Sequence, residues 1–111
     1  MGMWDRIRGQ RAGTTRRAGP EDADYLRGWA GARVGVEAYV EPRTSVTETT
    51  VVLVAKDGEW TRRRVAGPSG ARKLGRELKI PVYDVQLLGY PRRMRDYDAR
   101  QRGTRRGDEK R

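Results

Sequence analysis

The chain predicts a small α+β domain: a mixed, mainly antiparallel sheet with β-β-β-α-β core order, preceded by a short helix and flanked by disordered basic tails. Three stretches carry that expectation. Residues 34–41, VGVEAYVE, alternate apolar and polar side chains with the period of a half-buried strand. Residues 49–66, TTVVLVAKDGEWTRRRVA, read as a β-hairpin, because Asp57-Gly58 between two strand-like runs suits the positive φ of a tight twisted turn. Residues 69–79 place Ala71, Leu74, Gly75 and Leu78 three and four apart, the apolar stripe of an amphipathic helix.

At 111 residues the chain has room for one core and not two. Charged residues (36%) slightly outnumber hydrophobic ones (35%), so part of the length is expected to stay unfolded. The large apolar residues crowd between Tyr25 and Tyr90, which sets the organisation. Residues 1–19 form a disordered basic arm, residues 20–90 a single domain, and residues 91–111 a basic, largely disordered tail.

Taken in order, residues 20–32 open with Pro20 followed by Glu21, Asp22 and Asp24, a helix start in which negative charge meets the exposed N–H groups. Tyr25, Leu26 and Trp29 give this helix an apolar side. The strand at 34–41 puts Val34, Val36, Ala38 and Val40 on one face and Gly35, Glu37, Tyr39 and Glu41 on the other. In the hairpin, a two-residue turn would set Ala55 opposite Trp60, Val54 opposite Thr61 and Leu53 opposite Arg62. Residues 51–55 are apolar on both faces and read as a buried central strand, whereas Arg62, Arg63 and Arg64 mark an exposed edge. Gly67-Pro68 breaks the chain and Ser69 caps the next helix. Pro81 ends it, and residues 82–88 return as a strand with Tyr83, Val85 and Leu87 on one side. One helix covers one sheet face; the other face calls for the helix at 20–32 or a second subunit. Beyond Gly89, a short helix can start at Pro91 with Met94 and Tyr97 three apart, and disorder is expected past Gly103.

Absences narrow the function. With no Cys and no His there is no disulfide, thiolate zinc site, imidazole ligand or imidazole base. Ser-His-Asp and Cys-His nucleophilic catalysis are thereby impossible within this chain. No remaining carboxylate, lysine or tyrosine pattern organises a reaction, so no enzyme activity and no cofactor are expected. The start of the chain lacks the apolar run of a signal peptide, and no stretch approaches the roughly 20 apolar residues of a spanning helix. A cytoplasmic protein with no membrane span is the expectation.

The net charge of +10, from 25 Lys plus Arg against 15 Asp plus Glu, suits a polyanionic partner. The tail at 91–111 holds nine basic and four acidic residues; residues 34–90 hold nine and seven. Arg62 and Arg64 on the edge strand, with Arg63 on the opposite face, and Arg72, Lys73, Arg76 and Lys79 on the following helix are candidate phosphate contacts, with Trp60 or Tyr39 as a stacking platform. Arg92, Arg93 and Arg95 add a second group in the tail. Solubilising an edge strand and a helix face is the ordinary alternative use of the same arginines. Gly67-Pro68-Ser69-Gly70 lacks the spacing of a Walker loop and reads as helix punctuation.

In element order alone, residues 20–79 resemble the double-stranded-RNA-binding domain: a short helix, three strands, a second helix. The lysine-rich helix start of that family is replaced here by Ser69-Gly70-Ala71-Arg72-Lys73, and the strand at 82–88 is extra. The sequence therefore points to a non-enzymatic nucleic-acid-binding protein, RNA or a ribonucleoprotein ahead of a specific DNA sequence. A protein-interaction module or homodimer using the uncovered sheet face and edge is the alternative.

Overall fold

Helix α1 (Pro20–Gly31) leads into strands β1 (Glu37–Glu41), β2 (Thr50–Val54) and β3 (Trp60–Arg64). Helix α2 (Gly67–Leu78), strand β4 (Val82–Asp84), the one-turn helix α3 (Val85–Leu88) and helix α4 (Arg92–Glu109) complete the chain. The computed structural model describes residues 17–109, with side chains through residue 103. Most of the expected N-terminal arm, residues 1–16, lies outside the described residues.

The sheet order is β3-β2-β1-β4, with β1-β2 and β2-β3 antiparallel and β4 parallel to β1. This is the expected small α+β fold with a mixed sheet. β2 is buried on both faces, which explains why its sequence does not alternate. Val51, Leu53 and Ala55 join one cluster with Leu26 and Trp29 of α1 and Ala71 and Leu74 of α2. Val52 and Val54 join a second with Tyr39 and Met94, flanked by Trp60 and Tyr83. Each fully buried Val or Leu contributes roughly 1.5–3 kcal/mol relative to exposure.

Both α1 and α2 therefore cover the same face. The expectation that α1 or a second subunit would cover the other face is replaced by α4, whose Met94 is buried against β1 and β2. The expected helix start at Pro91 forms, and α4 packs on the sheet through residues before Gly103. Three side-chain anchors hold its start on the sheet. Arg93 donates to the carbonyls of Ala55 (2.9 Å) and Val54 (3.3 Å) and to Glu37 (2.7 Å), the Trp60 indole N–H donates to Asp98 (3.0 Å), and Arg100 donates to the Asp57 carbonyl (2.7 Å).

Two local expectations change. The hairpin loop has three residues, Lys56-Asp57-Gly58, because Ala55 N–H bonds the Glu59 carbonyl (2.8 Å) and Gly58 N–H bonds the Ala55 carbonyl (2.9 Å). Gly58 takes φ +96°, and Asp57 Oδ1 accepts from Glu59 N–H at 3.0 Å, closing the turn. Val54 consequently pairs with Trp60, Val52 with Arg62 and Thr50 with Arg64. A one-residue slip moves every side chain to the opposite face. Trp60, Arg62 and Arg64 thus share the α4 side, and Arg63 faces α1, stacking on Tyr25 at 3.9 Å.

The final strand is shorter than residues 82–88. Asp84 accepts from Gln86 N–H at 2.7 Å and caps α3, turning the chain out of the sheet. Leu87 and Leu88 are left 82% and 64% exposed. In α2 the expected apolar stripe is the buried one: Ala71, Leu74 and Gly75 pack inward. Gly75 lets β4 approach, since a Cβ there would collide with Val82.

Candidate functional site

The fold sorts the arginines and lysines into paired and unpaired sets. Arg62 is held bidentate by Glu41, Nε to Oε1 at 2.8 Å and Nη2 to Oε2 at 2.9 Å. Its guanidinium lies 5.3 Å from the Trp60 ring centroid. Arg33 grips Glu59 in the same forked way (3.0 and 2.8 Å) while stacking on Trp29 at 4.1 Å. Arg27 bonds Asp24 and Glu77, Arg63 reaches Asp22 at 3.8 Å, and Arg93 bonds Glu37. These contacts tie helices and strands together: carboxylates accept hydrogen bonds from Arg27, Arg33, Arg62 and Arg93, while Arg63 is only within ion-pair distance of Asp22.

Glu41 is the hub of the α4-side surface. It accepts from Arg62, from Thr50 Oγ1 at 2.6 Å and from the Tyr90 hydroxyl. Burial by itself would raise this carboxyl; hydrogen bonds from Arg62, Thr50 and Tyr90 outweigh it and hold the group below its ordinary range. Burial raises the Tyr90 hydroxyl, and the neighbouring Glu41 carboxylate adds to the shift. A carboxyl lowered in the folded state stabilises above its ordinary value, near pH 4.5, and that stabilisation drains as pH falls through the lower folded value. Glu41→Gln is expected to lose about 1 kcal/mol at pH 7 and to lose less further stability than the parent on acidification. Urea unfolding at pH 7 and pH 3 checks this; equal acid sensitivity in both proteins would remove Glu41 from the account.

The cations without an ion pair among the described residues are spread over the surface, Arg17, Arg43, Lys56, Arg92, Arg95 and Arg102 among them. Four of them cluster: Arg72, Lys73 and Arg76 are exposed on the outer side of α2, followed by Lys79 at its C-cap. None of the four has an ion pair among the described residues. Glu77, the carboxylate in this stretch, is engaged by Arg27 at 3.2 Å. A rise of 1.5 Å per residue spreads Arg72 to Lys79 over roughly 10 Å. That is the axial length of about three base steps of a nucleic-acid strand.

The sequence-derived site residues are not brought together. Arg72, Lys73 and Arg76 stand on the helix covering one sheet face; Arg92, Arg93 and Arg95 stand on α4, which covers the other. Arg92 and Arg95 are exposed, while Arg93 is committed to the β2 carbonyls and Glu37. Trp60 is half-buried under α4, and Arg62 is neutralised by Glu41. Tyr39 is buried against Tyr83, with ring centroids 5.3 Å apart. Arg64 sits at the end of β3, its Nε buried with no hydrogen-bond partner among the described residues. Lys79 belongs to the expected basic constellation, three residues after Arg76. The role of Glu41 as a hydrogen-bond hub was not legible in sequence, because it depends on strand register and on Tyr90, 49 residues away.

No helix among the described residues is long and apolar enough to cross a membrane. Comparison of the chain with protein-family models, curated proteins and solved structures found no match.

Proposed function

We propose that this protein is a non-enzymatic, cytoplasmic nucleic-acid-binding domain that contacts phosphates through the outer face of α2, with RNA or a ribonucleoprotein as its target. The supporting observation is the sorting of charge: Arg72, Lys73, Arg76 and Lys79 stay exposed and without ion pairs among the described residues while Arg27, Arg33, Arg62, Arg63 and Arg93 are neutralised. A net charge of +10 adds long-range attraction for a polyanion. The outer side of α2 presents Arg72, Lys73 and Arg76, whose cationic heads suit phosphate contacts. Arg92 and Arg95, on the opposite side of the sheet, engage the same ligand only where it wraps around the domain.

Affinity for an oligoribonucleotide is expected to fall steeply with salt. Arg72→Gln combined with Arg76→Gln should flatten the slope of log K against log[salt] by about 1.5 and leave the thermal midpoint nearly unchanged. Fluorescence anisotropy across a salt series, run beside light scattering, makes the measurement. An unaltered slope in the double variant rules out this face of α2.

Protein contact is the second reading, favoured by the exposure of Leu87 (82%) and Leu88 (64%) next to the free edge of β4. A stable dimer mass together with no RNA affinity in the same experiment selects it.

A further inference from the structure

A groove of about 250 Å³ opens on the α2 side of the sheet, between the start of α2 and the C-terminal ends of β1 and β4. Val40 and Val82 form its floor; both are half-buried and pack against the core under α1 and α2. Pro42 and Pro68, both exposed, line its sides. Two charged residues complete the lining, Arg72 from α2 and Asp84 from the end of β4. The pairing of Ala38 with Val82 and of Val40 with Asp84 sets Asp84 on the same face as the floor, whereas the Tyr83 ring lies on the other face against Tyr39. Arg72 and Asp84 are exposed, and neither has an ion pair among the described residues. Asp84 Oδ1 accepts from Gln86 N–H at 2.7 Å, which leaves the second carboxylate oxygen as an acceptor for a ligand.

We propose that this groove receives one unstacked base of a single-stranded RNA, guanine in preference to the others, with Arg72 on an adjoining phosphate. The inference rests on the nucleic-acid reading above and deepens it by naming the form of the RNA and the group that is recognised. Arg72 belongs both to the groove and to the cationic run it forms with Lys73, Arg76 and Lys79, so a strand that follows this run brings a base to the groove. The groove is smaller than the roughly 300–1,000 Å³ of a small-molecule site, a size for one planar ring system and not for a cofactor. A base within a duplex has its pairing edge occupied; a single-stranded one presents it. An ionised carboxylate accepts hydrogen bonds and donates none. Guanine sets two donors side by side on its pairing edge, N1–H and the N2 amino group, and so matches Asp84. Adenine and cytosine offer one amino donor beside a ring-nitrogen acceptor, and uracil sets its N3–H between two carbonyls. The apolar floor and proline sides keep water from the faces of the base, which strengthens the discrimination at its edge. A net charge of +10 opposes a second copy of the chain as the occupant.

The test is fluorescence anisotropy of the full chain with short oligoribonucleotides of one length, uridine throughout except for a central G, A, C or U. Central G is expected to bind about tenfold more tightly than central U, with backbone amide shifts at Val40, Val82 and Asp84. Asp84→Asn keeps an acceptor for Gln86 N–H and replaces the second oxygen by a donor, so the preference for G should vanish while the thermal midpoint and the salt slope hold. A preference for G that persists in Asp84→Asn overturns the assignment. Equal affinity for the four bases, with the salt slope still flattened by Arg72→Gln and Arg76→Gln, removes the groove and keeps the nucleic-acid reading. Guanosine monophosphate shifting the Val40 and Val82 amides, with no oligonucleotide bound, keeps a guanine site and removes the RNA. A dimer mass by light scattering, with Val40 and Val82 protected and no base preference, gives the groove to a second copy and overturns the proposal. If Asp84→Asn does not fold, the base preference and the amide shifts of the unsubstituted chain decide the matter.

Discussion

Gly58→Ala is expected to destabilise the protein by about 3 kcal/mol, combining strain at a left-handed backbone position with a clash against a neighbouring element. Gly58 has φ +96°, and a Cβ there would run into the carbonyl oxygen of Arg93, with the Arg93 carbonyl carbon at 2.8 Å and Tyr97 Cβ at 2.9 Å. The obstacle is backbone, so no rotamer change relieves it. The start of α4 must move, and with it the bonds from Arg93 to Val54 and Ala55 and from Trp60 to Asp98. Urea unfolding measures the loss, and Trp60 fluorescence together with amide exchange in α4 shows whether the helix lifts. A cost below about 1 kcal/mol with α4 still protected would mean that the hairpin turn does not set the seat of this helix.

Leu26→Ala should cost about 3 kcal/mol, within the range for deleting a fully buried leucine side chain. Leu26 has no exposed surface and sits among Trp29, Val51, Leu53, Ala71 and Leu74, where α1, α2 and the sheet meet. For a small domain whose whole stability is of order 5–15 kcal/mol, this is a large share. The expected signature is a lower urea midpoint with an unchanged m-value. A loss under about 1 kcal/mol would place α1 outside the cooperative core.

Stability and binding draw on different basic residues. Arg33, Arg62 and Arg93 make forked or multiple bonds to partly buried carboxylates and carbonyls, and removing one leaves its partners unanswered. Arg72 and Arg76 touch solvent and have no ion pair among the described residues, so their substitution changes the surface potential and little of the packing. This contrast separates a binding defect from a folding defect in any variant of the domain.

Much of the fold was legible from periodicity. Val36, Ala38 and Val40 alternate and do face the α1 and α2 side; Ala71, Leu74 and Gly75 recur at helical spacing and are buried; the doubly apolar run in β2 is the doubly covered central strand. Asp57-Gly58 located the hairpin, but a two-residue and a three-residue loop share that dipeptide. The choice between them was made by the Ala55–Glu59 pairing and by α4 packing on Gly58. The same limit applies at residues 85–88, where alternation suggested a strand and the Asp84 cap produced a helical turn. The charged tail gave no periodic sign of its packing, because α4 is held by Met94 and by the polar anchors Arg93, Asp98 and Arg100, which resemble solvent-facing residues in sequence.

By itself, then, the amino-acid sequence determined the α+β class, the order of elements, the central strand and the cationic excess, since each follows from local pattern or composition. Tertiary structure alone decided the strand register, the helix that covers the second face, and which basic residues are neutralised and which stay free of ion pairs among the described residues. The physical reason is range. Periodicity and turn chemistry act over a few residues, whereas the pairing of Glu41 with Arg62, of Arg93 with Glu37 and of Trp60 with Asp98 spans 21 to 56 positions and exists only once the sheet has formed.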